Sequence, residues 1–200
     1  MVVSPCQTCM YVVSDETGEA VIIDCAAYHR NDRKRLLEYI ASEHLHPVRL
    51  LLTHAHHDHV YGNDLIFDNF GLLPEVHIAD QQLMTIQLKE RIKLFFMNYP
   101  YPIPMPEHYL TDGDVIHFGH HKLQLIHTHT GTHTGLVFFL LRIGGHCFFG
   151  RHLVLSGYRS VRSVWREQGT IECFSEIHCQ FAANRHDSLS RPFKNNYNRF

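Results

Sequence analysis

Thr53-His54-Ala55-His56-His57-Asp58-His59-Val60-Tyr61-Gly62-Asn63 decides the reading of this 200-residue chain. Positions 54–59 carry four histidines and one aspartate. The preceding run, Val48-Arg49-Leu50-Leu51-Leu52, is apolar enough for a buried strand, so the histidines fall at a strand end, where sites are built. Imidazole nitrogen and carboxylate oxygen ligate borderline divalent metals, zinc above all. In extended backbone, residues two apart face the same side, so His54 and His56 can turn to one metal. Asp58 and His59, further round the turn, can face a second. The plain alternative is a histidine-rich surface loop, since the chain holds 19 His. The position at the end of an apolar strand argues against it.

Working outward, Met10 to Val13 and Ala20 to Asp24 alternate around Ser14-Asp15-Glu16-Thr17-Gly18, a β-hairpin pattern. Arg30 to Glu43 places Leu36, Leu37, Ile40 and Ala41 at helical spacing, and His46-Pro47 ends it. The order up to the histidine loop is therefore β-β-α-β. Downstream, Asn63 to Phe70 reads as a short helix stopped by Gly71, and Glu75 to Ala79 as a strand. Asp80 is placed to cap a helix running to about Met97, packed through Leu83, Ile86, Leu88, Ile92 and Phe95. Tyr99 to Pro106 has proline at every second position, which excludes helix and central strand. It is a connector or the wall of a substrate cleft. Thr111 to Asp114 is a turn. Val115 to Phe118 then pairs with Lys122 to Ile126, and Leu136 to Leu141 with His146 to Phe149. Strands and helices alternating in two runs predict an α/β sandwich of two sheets with outer helices.

Bulk properties narrow the function. Two hundred residues and a hydrophobic fraction of 44% suit one packed domain with a short tail. A formal charge of −2 argues against nucleic acid or a membrane surface as partner and leaves a small-molecule substrate. No apolar run approaches the roughly 20 residues that span a bilayer. Met1 to Pro5 has no basic run typical of a secretory leader. Cys6-x-x-Cys9 has no second pair beside it, and Cys25, Cys147, Cys173 and Cys179 read as small apolar residues. The expected compartment is the reducing cytoplasm. Oligomeric state is left open.

At this point the residues resemble the metallo-β-lactamase fold family of metal-dependent hydrolases. The resemblance rests on His54-x-His56-x-Asp58-His59, with Leu51-Leu52-Thr53 before it and Gly62 after it. Val21-Ile22-Ile23-Asp24 and Asp112-Gly113-Asp114 support it, and it covers about residues 8–150. The layout is similar to the glyoxalase II-like branch, which hydrolyses thioesters such as hydroxyacylglutathione. The resemblance implies an αββα sandwich with a two-metal site holding zinc, or else iron or manganese. His54 and His56 would hold one metal together with a later His; Asp58 and His59 would hold the other. A later Asp would bridge the two metals, and a final His in a Pro-Gly-His-Gly loop would complete the second. Two cations lower the pKa of a water they share and polarise the carbonyl that the resulting hydroxide attacks. Asp58 is the candidate catalytic residue, orienting that hydroxide. His57 matches no ligand position.

The second half departs from the pattern. Where the family carries His-Thr-Pro-Gly-His-Thr-Pro-Gly, this chain has His127-Thr128-His129-Thr130-Gly131-Thr132-His133-Thr134-Gly135. Counted from His127, the ligand slot falls on Gly131, with His129 and His133 each two places off. His133, followed by Thr134-Gly135, is the preferred candidate ligand. Where the family has Gly-Asp, this chain has Gly150-Arg151. A guanidinium has no lone pair for a cation and repels it. No Pro-Gly-His-Gly follows; His178 and His186 lie outside strand-loop patterns.

The chain changes character at Gly150. Residues 151–200 hold 8 Lys or Arg and 4 Asp or Glu, whereas residues 1–150 hold 10 and 16. Residues 1–150 therefore read as the metallo-β-lactamase-like domain and 151–200 as an atypical tail. A one-base slip of the reading frame at Gly150 accounts for the change. Arg151 to Val154 written CGA-CAC-CTT-GTT, less its first base, encodes Asp-Thr-Leu-Phe, restoring Gly-Asp. Trp165 followed by Arg166 encodes Gly in that frame whichever arginine codon is used. A shift across His129 to Gly135 likewise restores Thr-Pro-Gly-His-Thr-Pro. The activity of the chain as it stands is expected to be impaired. The alternatives are a non-catalytic chain binding one metal or none, and a lactamase or phosphodiesterase of the same fold.

Overall fold

The order of elements follows from where apolar residues recur every second position and where every third or fourth. The computed structural model describes residues 1–4, 6, 8–87, 90, 101–127, 137–141, 146–148, 162–165 and 171–174. A small hairpin, β1 (Val2–Val3) and β2 (Thr8–Cys9), leads into β3 (Tyr11–Ser14) and β4 (Glu19–Ile23), which pair antiparallel. Helix α1 (Arg30–Ser42) carries the chain back to β5 (His46–Leu51), which runs parallel to β4. Helix α2 (Asn63–Phe70) precedes β6 (Pro74–His77), and β7 (Tyr109–Leu110) closes a five-stranded sheet of order β3-β4-β5-β6-β7. The second sheet is antiparallel: β8 (Val115–Phe118), β9 (His121–His127), β10 (Val137–Leu141) and β11 (His146–Phe148), adjacent in that order. In the tail, β12 (Arg162–Trp165) pairs antiparallel with β13 (Ile171–Phe174).

Alternation along the strands explains the layers. Tyr11, Val13, Val21, Ile23 and Leu51 face the second sheet and pack with Ile116, Phe118, Leu123, Leu125, Val137 and Phe139. Their neighbours Met10, Val12, Ala20, Ile22 and Leu50 face the other way, onto Leu36 and Ile40 of α1 and Leu65 and Ile66 of α2. The first sheet is buried on both faces, as parallel sheets are. Each large side chain so buried contributes roughly 1.5–3 kcal/mol. This is the α/β sandwich that the sequence pattern predicts.

Helix α2 stops where expected. Gly71 takes φ 70°, and its N–H bonds the Phe67 carbonyl at 2.8 Å, the left-handed cap that glycine accepts without strain. The segment after β6 differs from expectation. Asp80 ends a 3-10 turn, Ile78–Asp80; residues 81–82 are helical, and a five-residue π-helical turn follows at Leu83–Gln87. The Asp80 carboxylate accepts the N–H of Ala55 at 2.7 Å. Residues 88–89 and 91–100 of the expected helix and its connector lie outside the described residues. Residues 101–106 form no helix or strand, and Ile103 and Met105 pack against Leu52, Ala55 and Val60, behind the histidine loop. Among the described residues no helix is long and apolar enough to cross a membrane.

Candidate metal centre

The parallel register places Asp24, just past β4, beside Thr53, just past β5. Asp24 takes φ 53°, a left-handed conformation that strains a non-glycine residue and that tends to cluster at functional sites. The strain aims a fully buried carboxylate at the loop. One oxygen accepts the Thr53 N–H at 2.8 Å; the other accepts the Thr53 hydroxyl at 2.6 Å. Asp80 holds the Ala55 N–H from the far side, and Val137 of the second sheet donates its N–H to the Thr53 carbonyl. The loop is thus fixed by two buried carboxylates and both sheets.

That frame sets the imidazole protons. Thr53 has one hydroxyl proton, and Asp24 receives it. The 3.0 Å contact between the Thr53 hydroxyl and His54 Nδ1 therefore places the His54 proton on Nδ1 and the lone pair on Nε2. His59 Nδ1 lies 3.0 Å from Asp24 Oδ2, so that carboxylate stands behind the ring. Its Nε2 lies 3.4 Å from Asp58 Oδ2. A carboxylate behind the imidazole that presents its other nitrogen is the usual support of a metal-ligating histidine.

The predicted ligands of the first half converge. The His54 ring centroid lies 4.6 Å from that of His56 and 4.0 Å from that of His59. His54, Asp58 and His59 are buried and His56 is half-buried. Asp58 and His59 sit in a 3-10 turn, His57–His59, which brings their side chains together after the extended His54-Ala55-His56. His57 is half-buried with its ring near Tyr61, in keeping with its not matching a ligand position. Gly62 lets this turn close on the β4–α1 connection: a Cβ there would lie 2.4 Å from Cys25 Sγ. His133, the alternative His129, and Arg151 lie outside the described residues.

Electrostatics suits a cation. Burial would lower the pKa of His59, but the Asp24 and Asp58 carboxylates outweigh it and raise it. The pocket therefore favours positive charge at His59, which a proton or a divalent metal supplies. Three imidazoles and a carboxylate form the donor set zinc and iron accept. Burial and the Asp58 carboxylate push the Cys6 thiol up, and burial, Cys6 and Asp58 raise the Tyr61 hydroxyl. His77 stacks on His127 at 4.0 Å, and burial followed by His127 lowers its pKa.

Sequence reasoning quoted Asp24 as part of a motif but assigned it no role; its place at the end of a strand parallel to β5 was the available signal. It missed Thr8, whose buried hydroxyl donates to Asp58 at 2.7 Å, because the short β1–β2 hairpin has too few residues to show a period.

A buried histidine–carboxylate cluster past the parallel strands of a two-sheet sandwich is a candidate metal centre on an α/β fold. The chain belongs to the metallo-beta-lactamase superfamily, whose family model matches residues 3–154. It is 28% identical over 140 residues to an uncharacterized protein of Mycobacterium bovis, covering 66% of this chain and 60% of that one. The structure is similar to TTHA1623 in a di-iron-bound form, with TM-score 0.60 and 28% identity over 74% of this chain and 69% of that one. It is also similar to the BLEG-1 B3 metallo-beta-lactamase, with TM-score 0.59 and 26% identity over 71% and 66%.

Proposed function

We propose that the chain derives from a metal-dependent hydrolase of thioesters, resembling hydroxyacylglutathione hydrolase, with Asp58 orienting the attacking water. The observation that carries the metal-centred reading is the pair of buried imidazoles, His54 and His59, whose Nδ1 atoms lie 3.0 Å from the Thr53 hydroxyl and from an Asp24 carboxylate oxygen. With Nδ1 so backed, Nε2 of each ring is the nitrogen that would take zinc, with His56 and Asp58 beside it. Zinc or iron at such a site supplies Lewis acidity, acidifying water and polarising a carbonyl. In this reading Asp58 would orient that water. Thioester preference rests on the resemblance to the glyoxalase II-like layout; the similarity to a B3 metallo-beta-lactamase supports a β-lactam as the competing substrate.

A second reading is favoured by Arg151, which stands where the family places a metal-bridging aspartate. On that reading the chain binds one metal or none and turns over nothing. We propose that a frame slip at Gly150 produces this departure. The family-model match ending at residue 154 supports a boundary there. The expected outcome is weak thioester hydrolysis by the chain as it stands and recovery in a frame-corrected protein. The check is elemental analysis followed by a panel of thioester, β-lactam and phosphodiester substrates on both proteins. Hydrolysis of the β-lactam alone would replace the thioester assignment, and a metal-free corrected protein would sink the hydrolase reading.

A further inference from the structure

The β1–β2 hairpin has no part in the ligand set, yet it reaches the centre. Thr8 is fully buried, and its hydroxyl donates to Asp58 Oδ2 at 2.7 Å, across 50 residues of sequence. Oδ2 is the oxygen that lies 3.4 Å from His59 Nε2. Since the carboxylate only accepts, Thr8 spends its proton on Asp58, and its own oxygen accepts the Ser4 hydroxyl at 3.3 Å. The Ser4 oxygen in turn accepts the Cys6 N–H at 3.3 Å. All three bonds run one way, from a backbone amide through two hydroxyls to the carboxylate, and bonds so aligned polarise one another. Ser4 takes φ 67°, a left-handed conformation, in this hairpin. Outliers of this kind persist where the surroundings over-determine them, and here the surroundings are the chain to Asp58.

We propose that Thr8 is a positioning residue for the metal held by Asp58 and His59, and that the β1–β2 hairpin is its anchor. The hydroxyl fixes the rotation of the carboxylate. It engages Oδ2, the oxygen that lies 3.4 Å from His59 Nε2. Asp24 does the same for His59 from the opposite side, so the two ligands are each held by a separate strand end. This inference rests on the metal-centre reading above, and its test separates the two.

The experiment is zinc titration by chelator competition, with bound metal counted by elemental analysis, on the full chain and three variants. Thr8→Val keeps the shape and deletes the hydroxyl; it is expected to weaken zinc about 10–100-fold. Thr8→Ser restores the hydroxyl and is expected within about 3-fold of the parent. Ser4→Gly suits the left-handed backbone while cutting the chain one link upstream. It is expected to hold or raise the Tm while weakening zinc by about 2–5-fold, a split that a purely structural role would not give. Equal zinc affinity in Thr8→Val and parent overturns the role of Thr8 alone. A parent chain that binds no zinc overturns the metal reading and this inference with it. Should Thr8→Val fail to fold, Ser4→Gly with an unchanged zinc affinity overturns the proposal.

Discussion

The loop at residues 53–59 and the paired turns at residues 15–19 and 119–121 both gather histidine and carboxylate, at opposite ends of the same strands. His46, which opens β5, bonds the Gly18 carbonyl beside the first turn, and Thr53, just past the other end of β5, bonds Asp24. At the turns, ligand atoms of Asp15, Glu16 and His121 all lie within 4.8 Å of one another. The Asp15 oxygens are spent there on the Thr17 N–H, the Thr17 hydroxyl and the His120 N–H. Glu19 likewise accepts the Gly119 N–H. The Glu16 side chain is 71% exposed, so water competes at every step. At the histidine loop the carboxylates are buried, and Asp24 is spent on setting imidazole protons. Proximity alone does not make a metal centre. Burial and the direction of the supporting hydrogen bonds do, and by that measure the turns form a latch between the two sheets.

The largest effect should come from His59→Ala. It removes a ligand and leaves Asp24 without the imidazole, a buried charge deprived of a partner that costs on the order of 3 kcal/mol. Bound zinc should fall by at least one ion per chain, with a matching loss of the zinc-dependent rise in Tm that linkage predicts for the parent. Unchanged metal content would put the cation elsewhere and reverse the comparison. Thr53→Val should do less. It deletes the bond to Asp24 and the acceptor for His54 Nδ1, at a cost of about 1–3 kcal/mol. It should weaken zinc by about 10–100-fold, because His54 is then free to move its proton to Nε2. Calorimetric zinc titration of the variant checks this. A Tm loss with zinc affinity intact would show that Thr53 braces the loop without setting the tautomer.

The histidine loop was legible because it compresses its chemistry into six residues behind an apolar strand, and α2 because Gly71 marks its end. The sandwich was legible because inward and outward residues alternate along β3, β4 and β9. The supports of the site were not. Asp24, Asp80 and Thr8 act on residues that lie 25 to 50 positions away, and only the folded arrangement of strands and turns brings them together. Asp80 shows the failure most plainly. Its place before an apolar periodic run has the local form of a helix cap, and that form carries no sign of the buried Ala55 N–H, 25 positions away, that the same carboxylate accepts. The two-residue strands β1 and β2 are too short for any periodicity, so the hairpin that reaches Asp58 left no trace in the pattern.

The smallest predicted effect tests the other half of the comparison. Burial works to raise the Asp15 carboxyl, yet the Thr17 hydroxyl and the amides of His120 and Thr17, with His121 nearby, hold it below its ordinary value of 3.8. A carboxylate lowered in the folded state adds stability above the unfolded value, and that stability is lost as pH falls through the folded value. Asp15→Asn should therefore reduce the Tm at neutral pH by no more than about 2 °C, since the group is only half-buried and water screens it. The difference between variant and parent should shrink as pH drops below the ordinary carboxylate range, where the parent also loses its charge. Zinc content should be unchanged throughout. If Asp15→Asn released zinc while His59→Ala did not, the turns would be the metal site and the buried histidines a structural cluster.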